Sequence, residues 1–247
     1  MRRSIIFTLT LLIPSFAFAQ DDTSHILNCV QPSGHHLSYR GYSCPLGGES
    51  FKSLRLGTHS IFGRHLDFKP VSYLDFPAPV PICPSNGFVI TKKDYTTEEI
   101  STIKALIETD SYQSLYKERH ASFYLFAYIA DALKEEDVDQ WWLLLKASWE
   151  ADTCGDEAKY KRYALETIEA AKIALQKGGK ENQHYIALNT LVPNLYRRIG
   201  DFDAAQNWLS NLNDLPQLNA HERLRFTLLK EAISSKNSEP VEAKKPK

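Results

Sequence analysis

The sequence predicts an α+β protein in which a small β-hairpin head, residues 20–95, precedes an antiparallel array of helices, residues 96–233. Two observations lead to this prediction. Glycine and proline are concentrated between residues 31 and 91, among short runs rich in valine, isoleucine, phenylalanine and tyrosine, a pattern typical of short strands and turns. After Tyr95 both become rare, and capping signals recur before apolar residues at helical spacing. With 247 residues, the chain is long enough for one large core or two small ones.

Residues 1–19 have the pattern of a secretory signal peptide. Arg2 and Arg3 precede an apolar run, residues 5–13, and Ala17-Phe18-Ala19 supplies the small side chains that a signal peptidase reads. The run is shorter than the roughly 20 residues of a transmembrane helix, so cleavage before Gln20 is favoured over a membrane anchor. No later segment is apolar enough to span a bilayer. We therefore expect an exported protein, periplasmic or secreted.

Two hairpins are predicted in the head. The first runs from residue 37 to 42, turns at residues 44–48 and returns through residues 51–56. The second enters through residues 80–83, turns at Ser85-Asn86-Gly87 and leaves through residues 88–90. Its Asn-Gly pair suits the positive φ of tight hairpin turns. The proline-rich stretch between the hairpins, residues 70–81, cannot lie inside a sheet.

About seven helices are predicted after Tyr95 from the apolar periodicity. The pairs with capping-box spacing are Thr96 with Glu99, Asp110 with Gln113, Asp137 with Gln140, and Asn219 with Glu222. In the segment 195–209, Gly200 and Ala205 lie at the positions of a tetratricopeptide turn and second helix. The upstream helices lack a clean period of about 34 residues, so we describe the array as tetratricopeptide-like.

The charge and the C-terminal composition bound the kinds of partner. The chain has 29 basic and 30 acidic residues, which gives a net charge of −1. It therefore has no excess of basic residues for sequence-independent binding of nucleic acid. The tail, residues 234–247, consists mainly of lysine, glutamate, proline and serine. This composition predicts disorder.

The sequence contains four cysteines, Cys29, Cys44, Cys83 and Cys154. In an exported protein they are expected to form disulfides, because an oxidising compartment favours disulfides over free thiols. A thiol redox role would require a Cys-x-x-Cys pair, which the sequence lacks. Four cysteines allow three pairings, and their spacing alone does not choose one.

The Cys-Pro turns at Cys44 and Cys83, together with the Tyr-Arg-Arg-x-Gly-Asp-Phe turn at residues 196–202, resemble the bacterial DUF2225 family. The resemblance covers residues 37–212 and implies a zinc-ribbon-like head joined to tetratricopeptide-like helices. In the family's zinc-binding pattern each turn reads Cys-Pro-x-Cys-Gly. Gly47 and Asn86 stand where this chain would need the second cysteine of each turn. The head is therefore a degenerate ribbon, and a zinc site of four thiolates is not supported.

The same resemblance implies how the cysteines pair. Two turns that share one metal hold their sulfurs within roughly 4 Å of each other, close to the separation that a disulfide requires. A Cys44–Cys83 disulfide is therefore implied, and Cys29 is left to pair with Cys154.

An alternative is that a metal is retained, with imidazoles replacing the missing thiols. The candidate histidines of the head are His35, His36, His59 and His65. None of them lies at ligand spacing from either turn cysteine, so we expect no metal and no other cofactor.

The sequence contains no nucleophile elbow, no phosphate-binding loop and no dinucleotide fingerprint. Ser101 and Lys104 have the Ser-x-x-Lys spacing of some acyl-transfer enzymes, but the companion motifs are missing. No catalytic residue is therefore assigned. An enzyme whose residues converge only in the folded chain remains a further alternative.

Aromatic residues of the helical half are the candidates for a partner surface, because such residues dominate interface energetics. Trp142 and Trp149 lie seven residues apart on one helix face, which is typical of packing between helices. The candidates for the partner surface are Trp141, Tyr124 and Tyr128. We expect an exported, non-enzymatic interaction or scaffold module with an unidentified protein partner. The alternative function is binding or sensing of a metal through Cys44, Cys83 and the head histidines.

Overall fold

The computed structural model describes Cys29 and residues 37–135, 138–212, 215 and 217–244. The signal-peptide residues 1–19, His35, His36 and Asp137 lie outside the described residues. The described part has an N-terminal β-hairpin followed by helices, so the predicted α+β class is confirmed.

The first predicted hairpin is confirmed. It consists of β1 (Leu37–Ser43) and β2 (Ser50–Leu56), paired in antiparallel fashion so that Ser43 lies opposite Ser50. The second predicted hairpin is reduced to a single bridge between Ile82 and Val89. A further small sheet, with the strand order β4-β3-β5, consists of β3 (Gly63–His65), β4 (Pro70–Val71) and β5 (Glu242–Ala243). Pro70 lies on an edge strand of this sheet, a position that proline tolerates.

The described residues form eight α-helices. They are α1 (Thr97–Ile107), α2 (Asp110–Lys117), α3 (Ser122–Leu133), α4 (Gln140–Thr153), α5 (Glu157–Gly178), α6 (Tyr185–Arg198), α7 (Phe202–Ser210) and α8 (Ala220–Ser234). Consecutive helices from α3 to α7 pack against one another. Among these helices, none is both long enough and apolar enough to cross a bilayer.

Local capping explains where the helices begin. Thr96 caps α1 and Asn219 caps α8, each in the predicted box with a glutamate three residues later. The prediction at α2 is wrong by one residue, because Thr109 rather than Asp110 is the cap and accepts from the Tyr112 N–H.

The turn between α6 and α7 has the local features that the tetratricopeptide pattern of residues 195–209 predicts. Gly200 has a φ of +85°, a conformation that favours glycine. The Asp201 side chain accepts from the Ala204 N–H and so caps α7. Ala205 is fully buried, as the close approach of two helices requires. The tetratricopeptide-like character of the whole array stays a prediction.

One apolar cluster joins the head to the helices. It contains Cys44, Cys83 and Phe88 from the head together with buried residues of the helices such as Tyr112 and Leu195. The two parts of the chain therefore share a core. This arrangement places the cysteine turns against the helical array.

The prediction of a disordered tail is wrong for residues 235–244, which we call the C-terminal strap. Its strand β5 pairs with β3 of the head, and the Leu66 N–H donates to the Val241 carbonyl at 2.9 Å. The fully buried guanidinium of Arg197 donates to the carbonyls of Asn237 and Glu239. The polar composition did not indicate this order, because backbone groups of the strap make these bonds.

Candidate functional site

The two Cys-Pro turns of the head have the same backbone hydrogen bonds. The N–H groups of Cys44 and Cys83 each donate to the carbonyl five residues later, both at 2.8 Å. Gly48 and Gly87 then donate back to the cysteine carbonyls, at 3.1 and 3.0 Å. Both glycines have positive φ, +76° and +79°. The repeated Cys-Pro-x-x-Gly pattern thus places a residue that tolerates the left-handed conformation where each turn requires one.

A disulfide joins the turns. Cys44 and Cys83 are bonded with their Cα atoms 5.6 Å apart, and Cys29 and Cys154 are bonded with theirs 5.1 Å apart. The Cys44–Cys83 pairing that the resemblance implies and the Cys29–Cys154 pairing left by elimination are both confirmed. The exposed fractions of Cys44 and Cys83 are only 3% and 0%, so the bridge between the turns is part of the core.

A carboxylate lies beside this disulfide. The ligand atoms of Cys44, Glu49 and Cys83 all lie within 4.8 Å of one another. A Cβ atom added to Gly47 would lie 2.8 Å from Glu49 Oε2, so the carboxylate fills the space next to one missing cysteine. At the position of the other missing cysteine, in the second turn, the Asn86 side-chain N–H donates to the Leu46 carbonyl at 2.7 Å and contacts Cys44 Sγ at 3.6 Å.

The described head histidines do not join this group. The His59 ring bonds the Gly57 carbonyl at 2.9 Å and packs edge-on against Phe76. His65 lies in β3, away from the cluster of donors around the turns. The alternative in which histidines replace the missing thiols is therefore not supported at His59 or His65. Sequence reasoning missed Glu49, although its place directly after the glycine pair of the first turn was visible.

The predicted partner surface is wrong for Tyr124 and Trp141. Tyr124 is fully buried, and its ring centroid lies 4.5 Å from that of Tyr163. Trp141 is only 5% exposed, and the His184 ring packs edge-to-face with it at a centroid distance of 5.3 Å. Tyr128 is half-buried.

Burial around α4 explains this error. Trp149 is buried as predicted, but Trp142 is half-buried while Trp141 faces the interior. Helical periodicity in the sequence indicates a single buried face. The helix instead contacts both α3 and α5, and these neighbours bury residues on several of its sides.

A carboxylate buried on α4 connects the head to the start of α3. Glu150 accepts from the Ser122 hydroxyl at 2.5 Å and from the Phe123 N–H at 3.1 Å. The Ser122 oxygen in turn accepts from the Val80 N–H at 2.8 Å. Burial raises the pKa of Glu150 to about 8, although both hydrogen bonds act in the opposite direction.

A second buried polar group lies at the same helix end. The Tyr163 hydroxyl accepts from the Ala121 N–H at 3.1 Å and also hydrogen-bonds with His120 Nδ1 at 2.9 Å. The other ring nitrogen of His120 faces Glu118 at 3.3 Å. Burial lowers the pKa of His120. His120, Tyr163 and the Ser122–Glu150 pair are closed to solvent, so they hold the fold together and offer no reactive group to a substrate.

Exposed apolar side chains lie on the head. Phe62 is 67% exposed, and its ring centroid lies 6.1 Å from that of Tyr73, which is 47% exposed. Ile61, next to Phe62, is exposed as well. We call these three residues the head patch. The sequence signal was an apolar pair inside a loop rich in glycine and polar residues, without an alternating pattern that would bury it.

A polar cavity of about 480 Å³ lies beside the connection from α4 to α5. The C-terminal strap contributes Glu239 to its wall, and the turn after α6 contributes Gly200. Arg198 lines the cavity but donates to Asp152 at 2.7 Å and to the Tyr160 hydroxyl at 3.2 Å. The charge of Arg198 is therefore already balanced by the protein.

The family model described as "Uncharacterized protein conserved in bacteria (DUF2225)" matches residues 37–232. The chain belongs to the DUF2225 family. The DUF2225 match begins with β1 and ends in α8, so it includes both cysteine turns and leaves out Cys29 and the C-terminal strap. No curated protein and no solved structure matches the chain.

Proposed function

We propose that this DUF2225 chain is an exported, non-enzymatic interaction module that presents its head patch to a protein partner. The observation that carries the proposal is the exposure of Phe62 and Tyr73 next to each other on the head. Aromatic side chains are enriched where interfaces gain most of their binding energy.

The backbone around the head patch is held in place before any partner binds. The Phe62 N–H donates to the Val71 carbonyl at 2.8 Å, and the Ser72 hydroxyl donates to the Ser60 carbonyl at 2.8 Å. The loop that carries Phe62 is thus fastened to the loop that carries Tyr73. A surface fixed in this way loses less conformational entropy on binding, which favours affinity.

Export is supported by two independent features. Residues 1–19 have the pattern of a signal peptide. All four cysteines of the chain are paired, a usage typical of proteins that fold in oxidising compartments.

A photo-crosslinking amino acid at position 62 tests the proposed function in cells that export the full-length protein. We expect a discrete adduct with a second polypeptide after irradiation. The matched control places the same amino acid at Leu165, which is 41% exposed on α5. Absence of an adduct at position 62, or equal adducts at both positions, would contradict the proposal.

Metal binding is the second candidate, and the convergence of Glu49 with Cys44 and Cys83 favours it. Because the sulfurs are bonded to each other, such a site requires their reduction to thiols. Three donors leave a fourth zinc position for water. Zinc analysis of protein prepared with and without reductant tests this candidate. It predicts one zinc per reduced chain, lost in both Cys44→Ser and Glu49→Gln variants.

A further inference from the structure

The two disulfides differ in how well an attacking thiol can reach them. Cys44 and Cys83 belong to the core and are almost fully buried. Cys29 and Cys154 are both only half-buried. Thiol–disulfide exchange requires a thiolate to approach one of the bonded sulfurs, so its rate depends on this access. The outer disulfide, Cys29–Cys154, is the accessible one.

The outer disulfide lies at a turn that other bonds hold in place. Cys154 is the C-cap that follows α4, and the exposed Gly155 comes directly after it. Just before the turn, the Lys69 ammonium donates to Asp152 at 3.1 Å and to the Thr153 hydroxyl at 3.0 Å. Arg198 donates to the other oxygen of Asp152 at 2.7 Å. The end of α4 therefore stays anchored when the disulfide opens.

We infer that Cys29–Cys154 is a redox-labile tether, which a dithiol reductant opens in the native fold while Cys44–Cys83 stays closed. The tether joins positions 125 residues apart and connects Cys29, which lies in the head before β1, to the helical array. Its opening releases Cys29 from α4 and exposes the Cys154 thiol next to Gly155 and Asp152, which line the polar cavity. The kind of partner that this site fits is a dithiol, either a small molecule or carried by a protein.

The exchange proceeds in two balanced steps. A thiolate of the dithiol attacks one sulfur of the tether, the S–S bond breaks, and the other cysteine leaves as a thiolate that takes up a proton. The second thiolate of the dithiol then attacks the mixed disulfide and releases the remaining cysteine, which is protonated in turn. Two electrons pass from the dithiol to the cystine, and the dithiol leaves as its own disulfide.

Timed reduction of the native full-length protein tests the inference. Dithiothreitol is added without denaturant, samples are quenched with iodoacetamide, and the alkylated cysteines are located by peptide mass mapping. We expect Cys29 and Cys154 to be alkylated at least tenfold faster than Cys44 and Cys83. The helical circular dichroism should stay unchanged while the first pair reacts.

A Cys29→Ser/Cys154→Ser variant serves as the matched control, because it keeps only the buried disulfide. It should show no alkylation over the period in which the tether of the native protein opens. Equal rates for the two pairs, faster alkylation of Cys44 and Cys83, or loss of helical signal together with the tether would each overturn the inference.

Discussion

Replacement of Glu150 by glutamine should remove a pH dependence of stability that the native protein has. Burial raises the pKa of Glu150 from 4.5 to about 8 in the folded protein, whereas the unfolded chain exposes the carboxyl to water. Between these two pH values the folded state holds a proton that the unfolded state has lost. The free energy of unfolding therefore falls as pH rises through this window. The stability that the raised pKa of Glu150 contributes is fully present only below the window.

The size of the effect follows from the two pKa values. Each pH unit inside the window changes the free energy of unfolding by about 1.4 kcal/mol, which amounts to about 3 to 4 kcal/mol between pH 5 and pH 8. Buried His120 acts in the opposite direction, because its lowered pKa makes stability rise with pH below its usual value of 6.5. The observable is therefore the difference between the native protein and the Glu150→Gln variant, in which the contribution of His120 cancels.

Urea unfolding followed by circular dichroism at about pH 5, 6.5 and 8 measures this difference. The new amide side chain can accept the Phe123 N–H and donate to the Ser122 oxygen, so the Glu150→Gln variant should fold and show the shallower loss of stability at high pH. Glu231→Gln, at an exposed position on α8, is the matched control and should follow the native protein. A native-minus-variant difference that stays constant from pH 5 to pH 8 would refute the reasoning.

Three further predictions concern the turn, the strap and the leader. Gly87→Ala should lower the free energy of unfolding by about 2 kcal/mol or more, because φ is +79° and the new Cβ would lie 3.1 Å from the Tyr116 ring. Gly48→Ala, at the same position of the first turn, has open space and should cost only about 1 kcal/mol, so equal losses in urea unfolding would contradict this account. Arg197→Met should speed hydrogen exchange of the strap amides at least tenfold while the amides of α6 stay protected. The reason is that the strap loses two charged hydrogen bonds from the Arg197 guanidinium. Unchanged exchange of the strap amides would contradict this prediction. N-terminal sequencing of exported protein should begin at Gln20, and an intact Met1 would contradict the predicted cleavage.

The features that the sequence predicted well depend on local chemistry. The first hairpin, the capping boxes at Thr96 and Asn219 and the turn at Gly200 each depend on residues a few positions apart, which a linear pattern records. The disulfide pairing depended on more than spacing. The Cys44–Cys83 pairing followed from the resemblance to a family whose two turns share one metal, and Cys29 and Cys154 were the pair that remained.

The features that the sequence did not predict depend on contacts between distant parts of the chain. The C-terminal strap is ordered by β3 and by Arg197, which lie far from it in sequence. Trp141 is buried because α4 packs against both α3 and α5, although the periodicity of α4 alone favoured its exposure. Glu49 lies in the same turn as Cys44, but Cys83 comes from the other turn, so these three residues meet only in the folded chain.

Non-reducing peptide mapping combined with metal analysis of the same native sample tests the central claim most directly. The claim is that a covalent bond between the two turns, and not an ion, holds the head closed against the helices. We predict linked peptides for Cys44 with Cys83 and for Cys29 with Cys154, no alkylation before reduction, and no stoichiometric metal. Alkylated Cys44 and Cys83 in unreduced protein, or one bound zinc per chain, would contradict it.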